Sequence, residues 1–216
     1  MAKIVHWNIR GFTANYEELQ FLLKDLSPNV LALQETLLAP KKKISIAGYS
    51  SDINKPATIT DKDGLSGGVC LLIKKSLIYS PVHLSTNLQA VAARISLHKT
   101  ITVCSLYLTP SVTVHKQDLV NLIQQLPKPF LLLGDFNGHS PNWGSDHSSA
   151  RGLLLENIFS DLDLCVLNEG SPTYFYSPNG TFSCLDLFVS DPSIILDFQW
   201  SEHHDLHGSD HFPVIL

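Results

Sequence analysis

The sequence predicts an α/β fold in which two β-sheets pack against each other and helices cover them from outside. Short buried-strand runs outnumber segments of helical period, and the helical segments are interspersed among the strands. Strand, helix and strand follow one another within the first 35 residues, as in a βαβ unit. A single sheet covered on both faces is an alternative that this pattern leaves open.

One domain is expected to span residues 1–216. Hydrophobic residues make up 44% of the chain and charged residues 16%, a normal globular mix, and neither a linker nor a repeat divides it. No apolar run approaches the roughly 20 residues of a membrane span, and the first residues lack the apolar region of a secretory signal. We therefore expect an intracellular protein without a membrane partner, whose four cysteines are reduced thiols.

The elements of the amino-terminal half are predicted from changes of period. Leucines at helical spacing indicate a helix that begins near Asn15, a candidate N-cap, and ends at Ser27-Pro28. The polar stretch Ser50–Gly64 indicates an exposed loop. Apolar runs predict strands at Lys3–Asn8, Val30–Leu33, Ile44–Tyr49, Leu65–Ile73, Leu77–Leu84, Gln89–Leu97 and Ile101–Leu108.

The carboxyl-terminal half is read in the same way. Leucine spacing predicts helices over His115–Leu126 and Ala150–Leu162. Asn179-Gly180 is a strong hairpin turn signal. The loop Ser201–Gly208 is rich in histidine, and His203-His204 is interpreted as a solvated pair. Strands are predicted at Phe130–Leu133, Cys165–Leu167, Phe182–Ser190 and Ile194–Trp200.

The functional interpretation centres on PFLLLGDFN, residues Pro129–Asn137. Because a strand alternates its faces, Asp135 and Asn137 should point the same way, just past the end of a buried strand. Ligand crevices form at such strand ends in open α/β sheets. Polar residues follow other buried runs equally abruptly, and we expect them at the same edge: Asn8, Glu35, Tyr107 and Asn168, with Asp186 inside a strand and the Asp210-His211 pair near the end of the chain.

Most of these residues, taken singly, also have a purely structural explanation. Asparagine and aspartate form caps and turns, and a tyrosine is often a core residue with a satisfied hydroxyl. Asp186 is harder to explain in that way, because a buried carboxylate without a partner is costly. His211 is an available partner for it.

Taken together, the residues suit metal-assisted hydrolysis of a phosphodiester. Glu35 with one or two amide oxygens makes an all-oxygen site that suits Mg²⁺, with Mn²⁺ as an alternative. Asp135 can take a proton from a water that Asn137 orients. His211, held by Asp186, can donate a hydrogen bond to a non-bridging oxygen of the phosphate, and Tyr107 can donate another. The net charge of −5 disfavours a protein that coats nucleic acid through bulk charge, but not a nuclease.

The ordered motifs resemble the endonuclease/exonuclease/phosphatase superfamily over nearly the whole chain. They are WN at 7–8, QE at 34–35, Tyr107, GDFN at 134–137, LD at 185–186 and SDH at 209–211. The resemblance implies a four-layer α/β/β/α sandwich of two mixed sheets with a divalent metal. It further implies that Glu35 and Asn8 are metal-site residues, that Asp135 and Asn137 activate water, that Asp186 supports His211, and that Asp210 lies beside the metal.

A narrower resemblance is to the endonuclease domain of non-LTR retrotransposons, in particular the jockey-like polyproteins of arthropods. WNIRGF, QET, GDFNGHSPNWGS, RGLLLENIF, LNEGSPTY and SDHFPV carry it. This family nicks double-stranded target DNA and leaves a 3′-hydroxyl that primes reverse transcription. The resemblance implies a monomeric domain, normally fused to a reverse transcriptase and acting in the nucleus. Arg10, Asn168 and Thr173 are then candidate substrate-binding residues.

Three other functions compete with this interpretation. Abasic-site repair enzymes of the superfamily usually carry an acidic residue two positions after the WN asparagine, where this chain has Arg10. A phosphoesterase for small or lipid substrates is disfavoured by the retroelement-like stretches at 138–143 and 168–173. An inactive nucleic-acid-binding remnant is disfavoured because every expected acid and the histidine are present.

Overall fold

The computed structural model describes residues 2–60 and 64–216 and contains two six-stranded sheets. In chain order the strands are β1 (Ile4–Asn8), β2 (Val30–Gln34), β3 (Tyr49–Lys55), β4 (Thr58–Ile59), β5 (Leu65–Ser66), β6 (Val69–Lys74), β7 (Tyr79–Val82), β8 (Gln89–Ser96), β9 (Thr100–Tyr107), β10 (Phe130–Asp135), β11 (Cys165–Val166), β12 (Tyr174–Tyr176), β13 (Thr181–Ser183), β14 (Asp186–Ser190), β15 (Ser201–Glu202) and β16 (Val214–Ile215). The α-helices are α1 (Tyr16–Leu26), α2 (Lys116–Gln124) and α3 (Ala150–Asp161), and short 3-10 helices cover Pro141–Trp143 and Pro192–Asp197. Within the described ranges, every helix is too short or too polar to cross a membrane.

Each sheet is mixed, with one parallel pair inside it. The first sheet has the order β15-β16-β1-β2-β6-β3, in which β1 and β2 are parallel. The second has the order β11-β14-β10-β9-β8-β7, in which β9 and β10 are parallel. Helix α1 connects β1 to β2 and helix α2 connects β9 to β10, so each parallel pair is a βαβ unit. The predicted βαβ unit at the start of the chain is therefore confirmed.

Alternation along the strands divides the apolar side chains between an inner layer and two outer layers. In β10, Leu131 and Leu133 lie in the core between the sheets, whereas Phe130 and Leu132 pack in the cluster that contains α2 and α3. On the other sheet, the leucines of α1 pack with the outward residues of β1 and β2. Two helical layers thus enclose two sheets, which confirms the four-layer α/β/β/α sandwich and rules out the single-sheet alternative.

The region before β6 differs from its prediction. Ile44 to Gly48 is not a strand, and β3 begins at Tyr49, the last residue of the predicted strand, and continues to Lys55 within the stretch predicted as an exposed loop. The strand lies at the edge of the first sheet and buries only Tyr49 and Ile53, so its sequence is too polar to be recognised as a strand. The part of the predicted loop at 61–63 lies outside the described residues.

The segment Ile194–Trp200 is also different from its prediction. It is not a strand, because a 3-10 helix covers Pro192–Asp197. Asp191 accepts a hydrogen bond from the Ser193 amide at 3.1 Å, and Pro192 supplies a backbone angle suited to a first helical turn. This local capping outweighs the apolar run Ile194-Ile195-Leu196.

Three smaller predictions need correction. The run Phe182–Ser190 is interrupted and forms β13 and β14. Asn15 precedes α1 but does not cap it, because its amide donates to the Ile9 carbonyl at 2.7 Å. His203 is buried and stacks on His204 at a ring-centroid distance of 4.4 Å, so it is not a solvated residue. The cysteines carry free thiols, as predicted.

Gly134 allows β9 and β10 to approach each other directly before Asp135. A Cβ atom at Gly134 would lie 1.8 Å from the backbone oxygen of Leu106, its partner in the parallel pair. Because that atom belongs to a central strand, it cannot move aside cheaply. The strand end that carries Asp135 therefore requires glycine at this position.

We expect Gly134→Ala to lower stability by on the order of 3 kcal/mol, because the added methyl group forces β9 and β10 apart. Gly180→Ala is the matched control: its φ is +71° but no atom lies within 4 Å of the added carbon, so only local strain of roughly 1–2 kcal/mol is expected. Thermal unfolding followed by circular dichroism measures both. Equal melting temperatures for the two variants would contradict the packing argument.

Candidate active site

The inner layer between the sheets changes from apolar to polar toward one end. Inward residues of β1 run from Ile4 through His6 to Asn8, and those of β10 run from Leu131 and Leu133 to Asp135. The polar end coincides with the carboxyl ends of both parallel pairs, where the sequence predicted the site. Strand parity and the shared direction of the pairs therefore bring polar side chains of both sheets to one edge.

The side chains of Asn8, Glu35 and Asp135 meet at this edge. Asn8 Nδ2 lies 3.2 Å from Glu35 Oε1 and 3.0 Å from Asp135 Oδ2. The Asn8 oxygen accepts a hydrogen bond from the Arg10 amide at 3.1 Å, which fixes the orientation of the carboxamide. Two carboxylates from different sheets thus converge on one amide group, and Asp135 is almost completely buried.

Backbone turns at the strand ends aim several of these residues. Arg10, Glu35 and Asn137 have positive φ values of 48°, 47° and 49°. Such angles are unfavourable for residues with a side chain and are concentrated at functional sites. They also end the regular alternation, since β10 stops at Asp135 and the alternation assumed for Asn137 does not extend to it. Asn137 instead donates its amide to the Leu108 carbonyl at 3.1 Å and its backbone N–H to Asp135 Oδ1 at 3.0 Å.

His211 reaches the same edge from the irregular segment before β16. Its Nδ1 lies 2.7 Å from Asp186 Oδ2, and its Nε2 lies 3.8 Å from Asp135 Oδ2. The indole of Trp7 donates to the His211 carbonyl at 3.1 Å, which anchors the segment to β1. The pairing predicted between Asp186 and His211 is therefore present, and it lies within contact of Asp135.

Burial and neighbouring charges determine the protonation states of His211, Asp186 and Asp135. Burial disfavours the His211 imidazolium, but the adjacent Asp186 carboxylate outweighs it and raises the pKa of His211 to about 9. Burial likewise opposes the Asp186 anion, but His211 and His6, which contact its two oxygens, hold the pKa of Asp186 well below its usual range. The pKa of Asp135 rises to about 7, chiefly through burial and against the opposing effect of His211. Near neutral pH, His211 is therefore a proton donor and Asp135 is poised to accept a proton.

Tyr107 borders the site from β9, directly opposite Asp135 in the parallel pair. Its side chain is buried, and burial together with the Glu35 charge raises the pKa of Tyr107 far above its usual value. The phenol therefore stays protonated and can act as a hydrogen-bond donor.

Asp210 and Arg10 form an ion pair at the rim. Arg10 Nη1 lies 2.7 Å from Asp210 Oδ2, and the Arg10 side chain is 61% exposed. Asp210 and His211 are sequence neighbours that both serve one edge because the chain there is not a regular strand.

Asn168 and Thr173 support β14. Asn168 donates to the Asp186 carbonyl at 2.8 Å and accepts from the Phe188 amide at 2.9 Å. Thr173 Oγ1 accepts from the amides of Leu185 and Asp186, both at 3.0 Å. These contacts hold the strand that carries Asp186, while the substrate-binding role expected of both residues stays a prediction.

Sequence reasoning missed His6. Its Nε2 lies 2.6 Å from Asp186 Oδ1, and both side chains are fully buried. The available signal was parity, since His6 lies two residues before Asn8 on the same face of a buried strand. A histidine within an apolar run indicates by itself only a residue of the strand.

Sequence reasoning also missed Arg151, at the start of α3. Its guanidinium donates to the carbonyls of Leu108 at 3.2 Å, Thr109 at 3.0 Å and Val112 at 2.7 Å. Leu108 is also the acceptor for the Asn137 side chain. Arg151 therefore secures the loop after β9 against the strand end that carries Asn137.

Two sets of side chains could hold a metal ion. Ligand atoms of Asp135, Asp186 and His211 lie within 4.8 Å of one another. However, each Asp186 oxygen already bonds to an imidazole nitrogen. The carboxylates of Glu35 and Asp135 form an alternative set of oxygen ligands beside the Asn8 carboxamide, whose nitrogen faces both of them. This set fits a hard divalent cation such as Mg²⁺.

Comparison with known proteins places these observations in a family context. A profile described as endonuclease-reverse transcriptase matches residues 101–215. The RNA-directed DNA polymerase from mobile element jockey of Drosophila melanogaster is 31% identical over 221 residues, covering 99% of this chain and 23% of that protein. The endonuclease domain of TRAS1, a telomere-specific non-LTR retrotransposon, has a TM-score of 0.78 at 21% identity and covers 100% of this chain and 97% of its own. A 3′-5′ exonuclease, NExo from Neisseria meningitidis, has a TM-score of 0.78 at 20% identity, over 99% of this chain and 98% of its own.

These similarities differ in what they cover. The chain spans about a quarter of the length of the curated relatives it matches. The solved structures instead match nearly end to end, and they share the two-sheet sandwich described above. The fold predicted from the sequence is therefore confirmed by structures of low sequence identity.

Proposed function

Because the chain belongs to the endonuclease-reverse transcriptase family, as its motifs predicted, we propose that it is a Mg²⁺-dependent endonuclease that nicks double-stranded DNA. The observation that carries the proposal is the convergence of Glu35, Asp135 and the Asp186-His211 pair on one strand edge. Residues 1–216 would form one domain that acts as a monomer in the nucleus. It would normally be fused to a reverse transcriptase, which extends the 3′-hydroxyl left by the nick.

The metal site of this proposal consists of Glu35 and Asn8, with Asp135 beside them and Asp210 at the rim. A bound divalent ion, Mg²⁺ or alternatively Mn²⁺, supplies Lewis-acid stabilisation of negative charge on a phosphate oxygen. The paired Arg10 guanidinium beside Asp210 adds a positive charge within reach of the DNA backbone.

The side chains then divide the proton transfers between them. Asp135, with a pKa of about 7, takes a proton from the attacking water, and Asn137 orients that water. The water oxygen bonds to phosphorus, the bond from phosphorus to the 3′ oxygen breaks, and that oxygen takes a proton from solvent and leaves as the 3′-hydroxyl. His211, held by Asp186, donates a hydrogen bond to a non-bridging phosphate oxygen, and the Tyr107 hydroxyl adds another.

Nicking of supercoiled plasmid tests the proposal. We expect the purified chain to convert supercoiled DNA to the open-circular form with Mg²⁺ and to stop when a chelator is added. The nicked product should support extension by a DNA polymerase, because it carries a 3′-hydroxyl. Failure to nick with either Mg²⁺ or Mn²⁺ would contradict the proposal, and cleavage confined to abasic duplexes would replace it with a repair activity.

A further inference from the structure

The Asp186 carboxylate lies between two imidazoles, one on β1 and the other on the segment that leads into β16. His6, from β1 in the first sheet, lies 2.6 Å from Oδ1, and His211 lies 2.7 Å from Oδ2. Asp186 itself belongs to β14 in the second sheet. The bond from His6 therefore crosses the layer between the sheets and joins the strand that carries Asn8 to the strand that carries Asp186.

We propose that His6 is a positioning residue of the nuclease site, which fixes the Asp186 carboxylate and through it the direction of the His211 ring. The terminal torsion of an aspartate side chain is soft, so a carboxylate with one partner can turn. Bonds to both oxygens from separate elements remove that freedom. His211 Nε2 is then kept toward Asp135 Oδ2, at 3.8 Å, and Asn8 Nδ2, at 3.5 Å.

Packing alone does not account for a histidine at position 6. The His6 ring is fully buried, and its Nδ1 has no hydrogen-bond partner among the described residues. An aliphatic side chain would fill the same layer without burying an unpaired ring nitrogen, as Ile4 does two residues earlier on the same face. Among the described residues, the bond from Nε2 to Asp186 is the one hydrogen bond of the His6 side chain, and its effect falls on the carboxylate that holds His211.

The inference rests on the proposed nuclease function. Two substitutions at position 6 separate the effect of the hydrogen-bond donor from that of the side-chain volume. Glutamine can place its amide nitrogen near the position of His6 Nε2, so His6→Gln keeps a donor for Asp186. Leucine fills the space but donates nothing, so His6→Leu leaves one buried oxygen of Asp186 without its partner. His98→Gln is the matched control, because His98 is exposed in the turn between β8 and β9.

Steady-state nicking kinetics provide the first readout. We expect His6→Leu to lower kcat by roughly 10- to 100-fold with little change in KM, because a displaced ring weakens an interaction made in the transition state. His6→Gln should recover most of kcat, and His98→Gln should match the wild type. A folded His6→Leu protein with wild-type kcat, or a folded His6→Gln protein as slow as His6→Leu, would overturn the proposal.

Proton NMR of protein with labelled histidine provides a readout that does not require activity. We expect two strongly downfield, slowly exchanging imidazole N–H signals, one lost in His6→Gln and the other in His211→Asn. In His6→Leu the His211 signal should broaden or move, whereas in His6→Gln it should persist. If His6→Leu does not fold, wild type and His6→Gln still decide: absence of the His6 signal, or loss of the His211 signal in His6→Gln, would overturn the proposal. If the wild type does not nick but shows both signals, the nuclease function fails while the His6 contact stands.

Discussion

His211→Asn is expected to reduce the nicking rate by roughly 10²- to 10³-fold, the effect of losing one transition-state donor. Asparagine can place its amide nitrogen where Nδ1 lies, 2.7 Å from Asp186 Oδ2, so the buried carboxylate keeps its partner. It has no counterpart of Nε2, the atom nearest to Asp135 and Asn8. The substitution therefore removes the donor toward the phosphate without leaving a buried charge unpaired.

The protonation state of His211 explains why its substitution should slow nicking. Because the Asp186 carboxylate outweighs the effect of burial, the pKa of His211 is about 9 and the ring is an imidazolium at neutral pH. Both nitrogens then donate, one to Asp186 and one toward the substrate. Loss of the Nε2 donor removes stabilisation of the negative charge that develops on the phosphate in the transition state. We therefore expect kcat to fall, with little change in KM.

A double variant tests whether Asp186 and His211 act as one unit. If Asp186 acts through His211, adding Asp186→Asn to His211→Asn should slow nicking little further. His98→Asn, at an exposed position, controls for the loss of a histidine. A His211→Asn protein that nicks within a few-fold of the wild-type rate would remove His211 from the mechanism.

The placement of the site could be predicted because its members obey strand parity and strand direction. Asn8 and Asp135 occupy the inner face at the carboxyl ends of β1 and β10, so abrupt polar residues after apolar runs identified them. Glu35 also follows a buried strand, but its positive φ of 47° was not predictable, since no sequence pattern specifies that turn for glutamate.

The errors arise where tertiary context decides the structure. β3 is an edge strand that buries two side chains, so the partner strand β6, and not its own pattern, makes it a strand. His6 was missed for a related reason: its importance depends on Asp186, 180 residues away in sequence. Pairings across the two sheets are set by how the sheets pack, and a single sequence does not encode that packing in any local spacing.

Glu35→Gln is expected to lower nicking at limiting Mg²⁺ by at least roughly 10²-fold, because an anionic ligand is replaced by a neutral one of the same size. Glutamine retains an oxygen for the contact with Asn8 Nδ2, which is 3.2 Å in the wild type. Loss of charge, and not loss of shape, is therefore what the variant measures. Nicking rates over a Mg²⁺ titration should show a higher half-saturating concentration and partial recovery at high Mg²⁺.

The same substitution should not lower the stability of the metal-free protein, although it lowers the nicking rate. The Glu35 charge contributes to the raised pKa of buried Asp135, which means that the two carboxylates repel each other in the folded protein. Glu35→Gln removes this repulsion, so we expect the metal-free variant to unfold at the same or a higher temperature than the wild type. The expected gain in the free energy of unfolding is up to about 1 kcal/mol. Glu17→Gln, at an exposed position on α1, is the matched control and should change neither nicking nor the Mg²⁺ midpoint. A Glu35→Gln protein with an unchanged Mg²⁺ midpoint would show that Glu35 is not a metal ligand, whatever its effect on the rate.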